Sequence, residues 1–346
     1  MKIFQMIDNP YVDNPYISTL MNGISGFDSN IIWGYGLKNF WSDVILQYDI
    51  IHIHWPHLIV DFFSDNKIID EYEKRLLLLK SRGIKILVTC HNLEPHYEKD
   101  VRKIESYRVS YKLADSILHL GEYSMNIMEV KYPIAQHYLI PHHTYDALYS
   151  IVNKEESLKK LCLDSSKKYI LCFGDFRNDE ERKLVSCVLE HYNRYGYEIL
   201  APLYYNYSNR RNKIKMFVAW LRSKFASTKL HIIGQRIDDD LLPYYYGASE
   251  ICLIQRKKIL NSGNLPMAFY MGKVVVGPNV GNVGQILQMT DNPVFNPENE
   301  KSIYDAIDKG LILNEQGVGA KNREYSVNNW STIVIAQKLY NIYNSI

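Results

Sequence analysis

The sequence predicts an α/β protein built from two βαβ domains in tandem, and three observations carry that expectation. Short, continuously apolar segments recur along the whole chain, separated by polar stretches of helical length. That is the pattern of parallel strands covered on both faces. The 346 residues exceed what one ordinary core holds and suit two domains of about 150 residues each. Polar residues able to do chemistry, histidines above all, collect directly after several strand-like runs, where open parallel sheets bind ligands.

Composition narrows the function classes. Hydrophobic residues make up 47% of the chain and no low-complexity run interrupts it, so a folded protein is expected throughout. Lys+Arg 40 against Asp+Glu 38 leaves a formal charge of +2, which gives a nucleic-acid partner no support. Cys90, Cys162, Cys172, Cys187 and Cys252 form no CxxC pair, and they read as reduced thiols rather than a disulfide framework. No apolar run approaches the ~20 residues needed to span a bilayer, and Met1-Lys2 leads straight into a strand. A cytoplasmic protein is the expectation.

In chain order, Lys2–Ile7 reads as the first strand, followed by a turn-rich loop through Asn9-Pro10 and Asn14-Pro15 and a helix near Ile17–Gly23. Asp49–Trp55, Ile84–Cys90, Ser116–Leu120 and His137–Ile140 supply four more strands, with helix-like Asp70–Ser81 and Val101–Ala114 between them. His54-Trp55-Pro56-His57, His91-Asn92-Leu93-Glu94-Pro95-His96 and Pro141-His142-His143-Thr144-Tyr145 follow three of these strands. No histidine pair has the i, i+4 spacing of a helical zinc site, and a proline separates His91 from His96. No metal site is therefore expected. Imidazole also suits hydrogen bonding to sugar hydroxyls and phosphate, or proton transfer near neutral pH; His52, inside its strand, reads as structural.

A charged segment, Asn153–Lys168, separates the halves. A second alternating series follows through Tyr169–Phe176, Glu198–Leu203, Leu230–Gly234, Glu250–Ile254 and Val274–Gly277. Gly174-Asp175-Phe176-Arg177 ends the first of these strands, and Arg177 is a planar, permanently charged donor suited to a diphosphate or simply to the surface. Between Asn206 and Lys224, Arg210, Arg211, Lys213, Lys215, Arg222 and Lys224 surround Met216, Phe217, Val218, Trp220 and Leu221. Residues 206–224 thus fit an ordinary packing helix or an interfacial helix on anionic lipid. Further on, Asn261-Ser262-Gly263-Asn264 precedes a short helix that ends near Gly272. Two readings fit that loop: Asn261 or Ser262 caps the helix, or Ser262, Gly263 and Asn264 cradle a phosphate at its start.

Several elements in this order resemble one family. They are Asp49-Ile50-Ile51-His52-Ile53-His54-Trp55-Pro56, Thr89-Cys90-His91-Asn92-Leu93-Glu94-Pro95-His96, Gly174-Asp175-Phe176-Arg177, and Ser262-Gly263 with Gly272-Lys273-Val274-Val275-Val276. Together they resemble the GT-B glycosyltransferases, above all the bacterial transferases of capsule and exopolysaccharide assembly. The resemblance implies two Rossmann-like domains facing a central cleft: residues 1–155 for the acceptor, residues 156–325 for a UDP- or GDP-linked sugar donor, and residues 326–346 as a helix returning to the N-terminal domain. By it, Arg177, Ser262, Gly263 and Asn264 contact the donor diphosphate, and His91 matches the family's histidine facing the donor sugar. A hexosyltransferase that needs no metal or other cofactor and acts on a lipid-linked or oligosaccharide acceptor at the inner membrane face is what it implies.

The sequence also departs from that pattern. Many retaining relatives carry an acidic residue in the glycine-rich loop and another two turns later, where uncharged residues stand here around Asn261 and Met267. The lysine that usually follows the arginine is absent, which leaves Arg182 or Lys183 as substitutes. Retention and inversion both stay open; His91, Glu94, His96 and Asp13 are the candidate bases for inversion. A sugar-nucleotide epimerase or phosphorylase of the same fold, and a noncatalytic sugar-binding protein, are the alternatives.

Overall fold

The computed structural model describes all residues except 13, 14, 64, 66, 96–98, 207–212 and 236, and leaves undescribed the side chains of 213–215, 223 and 224. The expectations placed on Asp13, His96, Arg210 and Arg211, and on the side chains of Lys213, Lys215 and Lys224, lie outside the described residues.

The chain divides into two units, Met1–Ala147 with Trp330–Ile346, and Leu148–Asn329. In the first, strands β1 (Lys2–Gln5), β2 (Ile32–Tyr35), β3 (Ile50–Ile53), β4 (Lys85–Cys90), β5 (Ser116–His119) and β6 (Gln136–Leu139) form a sheet in the order β2-β1-β3-β4-β5-β6. Every pairing is parallel. All four residues of β3 are buried, and so is all of β4 beyond Lys85, as a central parallel strand covered on both faces requires. Strand β2 carries no clear sequence signal because it is an edge strand with Ile32 exposed and Gly34 in its middle. That glycine makes room for the Tyr48 ring, whose hydroxyl lies where a Cβ would stand.

The second unit repeats the plan with β7 (Lys168–Leu171), β8 (Tyr197–Leu200), β9 (Leu230–His231), β10 (Ile251–Leu253), β11 (Val274–Pro278) and β12 (Val294–Phe295). Its order is β12-β11-β10-β7-β8-β9, again all parallel. Its core joins Ile170, Cys172 and Ile251 of the sheet region to Leu184, Val188, Ile303 and Ile307 of two covering helices.

The chain end differs in detail from the single helix expected over residues 326–346. Two helices, Val318–Trp330 and Thr332–Ser345, are separated by Ser331, whose extended backbone (φ −57°, ψ 151°) interrupts the helical path. The Thr332 N–H donates to Asp146 Oδ1 at 2.7 Å, so the break is held from within the first unit. The last helix then packs on helix Tyr16–Ser25, burying Ile335, Leu339, Ile342 and Tyr343 with Ile17, Leu20 and Ile24. Gly23 permits the approach, since a Cβ there would lie 2.9 Å from that of Ala336.

Candidate active site

Each sheet has one point where the chain reverses direction across it. In the second unit β7 is flanked by β8 and β10, so the connections leaving β7 and β10 run to opposite sides. In the first unit the same occurs between β1 and β3. Such divergence opens a crevice beyond the carboxyl ends of the two strands, the usual ligand position in open α/β sheets. Some of the sequence-predicted residues, together with others that the sequence did not flag, follow the strands at these two points.

Beyond β7, Gly174 adopts φ +100°, a conformation that L side chains rarely adopt. A Cβ there would stand 3.2 Å from Asn264 Nδ2 and 3.8 Å from Arg256 Nη2, so the missing side chain leaves a notch with two nitrogen donors beside it. Asn264 Nδ2 also donates to the Phe173 carbonyl at 2.7 Å, which ties the start of helix Asn264–Tyr270 to the loop after β7. Arg256 follows β10, and its Nη1 donates to Glu181 Oε2 at 2.6 Å. The same oxygen accepts the backbone N–H of Arg177 at 2.8 Å. Burial lowers the Arg256 pKa, and the Arg177 charge nearby lowers it further, while Glu181 opposes both. Two guanidinium groups that repel one another, that of Arg256 beside Gly174, form a setting that an anion would stabilise.

The loop itself settles one of the two readings. Helix Asn264–Tyr270 has Gly263 as its N-cap residue, so neither Asn261 nor Ser262 occupies the capping position. Asn261 Oδ1 instead accepts from Asn282 Nδ2 at 2.7 Å, which pins the loop from the far side. Ser262, Gly263 and Asn264 are half-buried, and Arg177 is exposed. Lys183 is not brought to this group. It lines a separate pocket of about 290 Å³ with Lys257, Glu298 and Tyr304, which none of Gly174, Arg177, Arg256 and Asn264 lines. Lys273 is also elsewhere, donating to the Ser249 carbonyl at 2.7 Å with its pKa lowered to about 8 by burial.

In the first unit the crevice is lined by rings. His54, just past β3, hydrogen-bonds through Nδ1 to His91 Nε2 at 3.2 Å and through Nε2 to Gln5 Oε1 at 2.9 Å. Trp55 stacks on His91 with centroids 4.7 Å apart and planes 22° from parallel. Tyr16 meets His91 edge-on at 5.1 Å and stacks on His143 at 5.2 Å. Burial drives the pKa of His91 well below its usual value, with His54 and His142 adding to the effect, and lowers that of His142 to about 4. These imidazoles are therefore neutral at physiological pH. His52 is held between Tyr343 and Thr89 as a structural residue. Glu94 is exposed. Among the described residues no group of three or more His, Cys, Asp or Glu side chains is arranged to hold a metal ion, and no helix is long and apolar enough to cross a membrane.

Sequence reasoning missed Arg256, Gln5 and Tyr343. Arg256 follows a strand-like run but sits in no recognisable motif, and Gln5 and Tyr343 are separated by almost the whole chain.

No family model matches the chain, and no curated protein matches its sequence. Solved structures do match over its full length. Sucrose-phosphate synthase from Thermosynechococcus elongatus is 15% identical, with a TM-score of 0.75 over 100% of this chain and 98% of that one. Anabaena HepE, crystallised with UDP-glucose, is 10% identical, with a TM-score of 0.72 over 100% of both chains. The UDP-GlcNAc 2-epimerase from Methanocaldococcus jannaschii is 11% identical, with a TM-score of 0.58 over 100% of both. Such low identities speak to architecture alone, and that architecture agrees with both sheets: the chain has the GT-B fold, two Rossmann-like domains in tandem.

Proposed function

We propose that this protein is a glycosyltransferase that takes a sugar from a UDP- or GDP-linked donor and passes it to a lipid-linked or oligosaccharide acceptor in surface polysaccharide synthesis. The observation that carries the reading is the notch at Gly174, with Asn264 Nδ2 and Arg256 Nη2 beside it at the reversal point of the second sheet. A diphosphate fits that chemistry. The notch admits an oxygen close to the backbone, and Arg256 and Arg177 neutralise the charge that builds on the leaving group. No metal is needed for that step, because the guanidinium groups supply the positive charge. Ser262 and Gly263 lie beside Asn264 and complete the donor loop. HepE crystallised with UDP-glucose and starch synthase IV with ADP and acarbose are neighbours whose ligands agree with a nucleotide-sugar donor. In the first unit, His91 and Glu94, with His96, are the groups we assign to the acceptor hydroxyl and its proton.

Titration calorimetry with UDP, GDP, CMP and dTDP tests the donor assignment. One nucleotide should bind, and Arg256→Lys and Arg177→Ala should each weaken it at least ~10-fold, about 1.4 kcal/mol, within the range of a charge-assisted hydrogen bond. Absence of binding by all four would remove the reading. The epimerase neighbours support a second reading. An epimerase returns an isomerised nucleotide sugar without acceptor, whereas a transferase releases nucleoside diphosphate only as acceptor is consumed, so product analysis separates the two.

A further inference from the structure

A continuous chain of hydrogen bonds runs through the first unit from the C-terminal helix to His91. Gln5 Nε2 donates to the Tyr343 hydroxyl at 3.3 Å, which turns Gln5 Oε1 toward His54 Nε2 at 2.9 Å. A carbonyl oxygen only accepts, so His54 Nε2 carries the proton and His54 Nδ1 is the accepting nitrogen of a neutral ring. The His91 nitrogen facing it at 3.2 Å, Nε2, must then be the donor. On the other branch the Tyr343 hydroxyl has His52 Nδ1 at 2.6 Å, and His52 Nε2 has Thr89 Oγ1 at 2.7 Å. With Tyr343 donating to His52 and His52 donating to Thr89, every bond of the chain pairs a donor with an acceptor. Gln5, His52, His54 and Tyr343 are buried, so water does not compete for these bonds.

We infer that Gln5, anchored by Tyr343, acts through His54 to hold His91 in the Nε2–H tautomer, which makes Nδ1 the nitrogen of that ring with the lone pair. Trp55 and Tyr16 fix the plane of the same ring by stacking and edge contact. Gln5, His54 and Tyr343 are positioning residues: none is assigned contact with substrate, and each acts through its neighbour. The benefit is electrostatic and geometric. A lone imidazole divides between two tautomers, only one of which accepts at the required nitrogen, and a fixed hydrogen-bond partner on the opposite nitrogen removes the other form. The role given to His91 rests on the acceptor reading above; the tautomer itself does not.

The test is a long-range ¹⁵N–¹H correlation spectrum of the imidazoles in the full-length, ¹⁵N-histidine-labelled protein at neutral pH. His91 is assigned by the signals lost in His91→Gln. A single Nε2–H form is expected, and an Nδ1–H form would overturn the inference. Gln5→Met and Tyr343→Phe should each give a mixture of tautomers and lower kcat by about 10²-fold, the low end of what one positioned proton-transfer group contributes, with donor KM little changed. Tyr343→Phe removes a single oxygen and so guards against a Gln5 variant that does not fold. A wild-type tautomer in both folded variants would show that Gln5 and Tyr343 are structural only. An Nε2–H His91 in a protein that transfers no sugar would sink the transferase reading and leave the relay standing.

Discussion

Arg256 Nη1 donates to Glu181 Oε2 at 2.6 Å, and the Glu181 side chain is wholly buried. The pair joins the strand-end loop after β10 to the helix that follows β7, and holds Arg256 beside Gly174. Removing one partner strands the other charge. Arg256→Ala is predicted to destabilise the fold by about 3–5 kcal/mol, the cost of an uncompensated buried charge. Urea denaturation of the variant measures it, and a loss below about 1 kcal/mol would contradict the prediction.

Gly174→Ala is predicted to act locally. The left-handed backbone at this position costs a residue with a Cβ roughly 1–2 kcal/mol, and the new methyl crowds Asn264 Nδ2. Nucleotide affinity should fall together with stability. Calorimetry with the nucleotide that binds the wild type tests this; unchanged affinity would move the donor phosphates away from the notch.

The suppressed histidines predict acid sensitivity. His52 is lowered to about 3 by burial first and His91 second, while His54, His91 and His143 lie well below their ordinary value, each mainly through burial. In the unfolded chain these groups titrate near 6.5. Above that pH both states are neutral and nothing is lost. As pH falls below about 6.5 the unfolded chain binds protons that the folded one refuses. Stability therefore drops by up to about 1.4 kcal/mol per pH unit for each such histidine until its folded pKa is reached. Denaturation midpoints at pH 7.5 and 5.0 should differ accordingly, and a flat profile would show that the rings are hydrated.

Helix Lys213–Lys224 exposes Phe217, Val218, Trp220 and Leu221, with Phe225 just beyond it. Phe217 and Trp220 stack on one another. Membrane association of this segment is our proposal, and it predicts co-sedimentation with vesicles containing phosphatidylglycerol that weakens in a Phe217→Asp, Phe225→Asp variant. Equal sedimentation of both proteins would assign these rings another role.

Much of the architecture was legible along the chain, because a parallel strand buried on both faces must be continuously apolar over a few residues. Ile50–Ile53, Lys85–Cys90 and Val274–Pro278 announce themselves in that way. Edge strands need no such run, which is why Ile32–Tyr35 and Val294–Phe295 did not. The break at Ser331 was equally silent, since it depends on Asp146, far away in sequence. Of the candidate residues, Arg177, Asn264 and His91 stand at the carboxyl ends of their sheets, where strand ends are readable from local pattern. Lys183 does not join them, because its helix turns it toward Lys257 and Glu298.

The sequence by itself determined two alternating βαβ series, a glycine and an arginine after β7, a histidine after β4, and a loop opening a short helix before Gly272. These follow from local periodicity and backbone preference. Only the tertiary structure decided strand order, and with it the reversal points that place Arg256 beside Gly174 and Gln5 between His54 and Tyr343. Strand order is set by which buried faces pack together across long stretches of chain, and no local pattern records it.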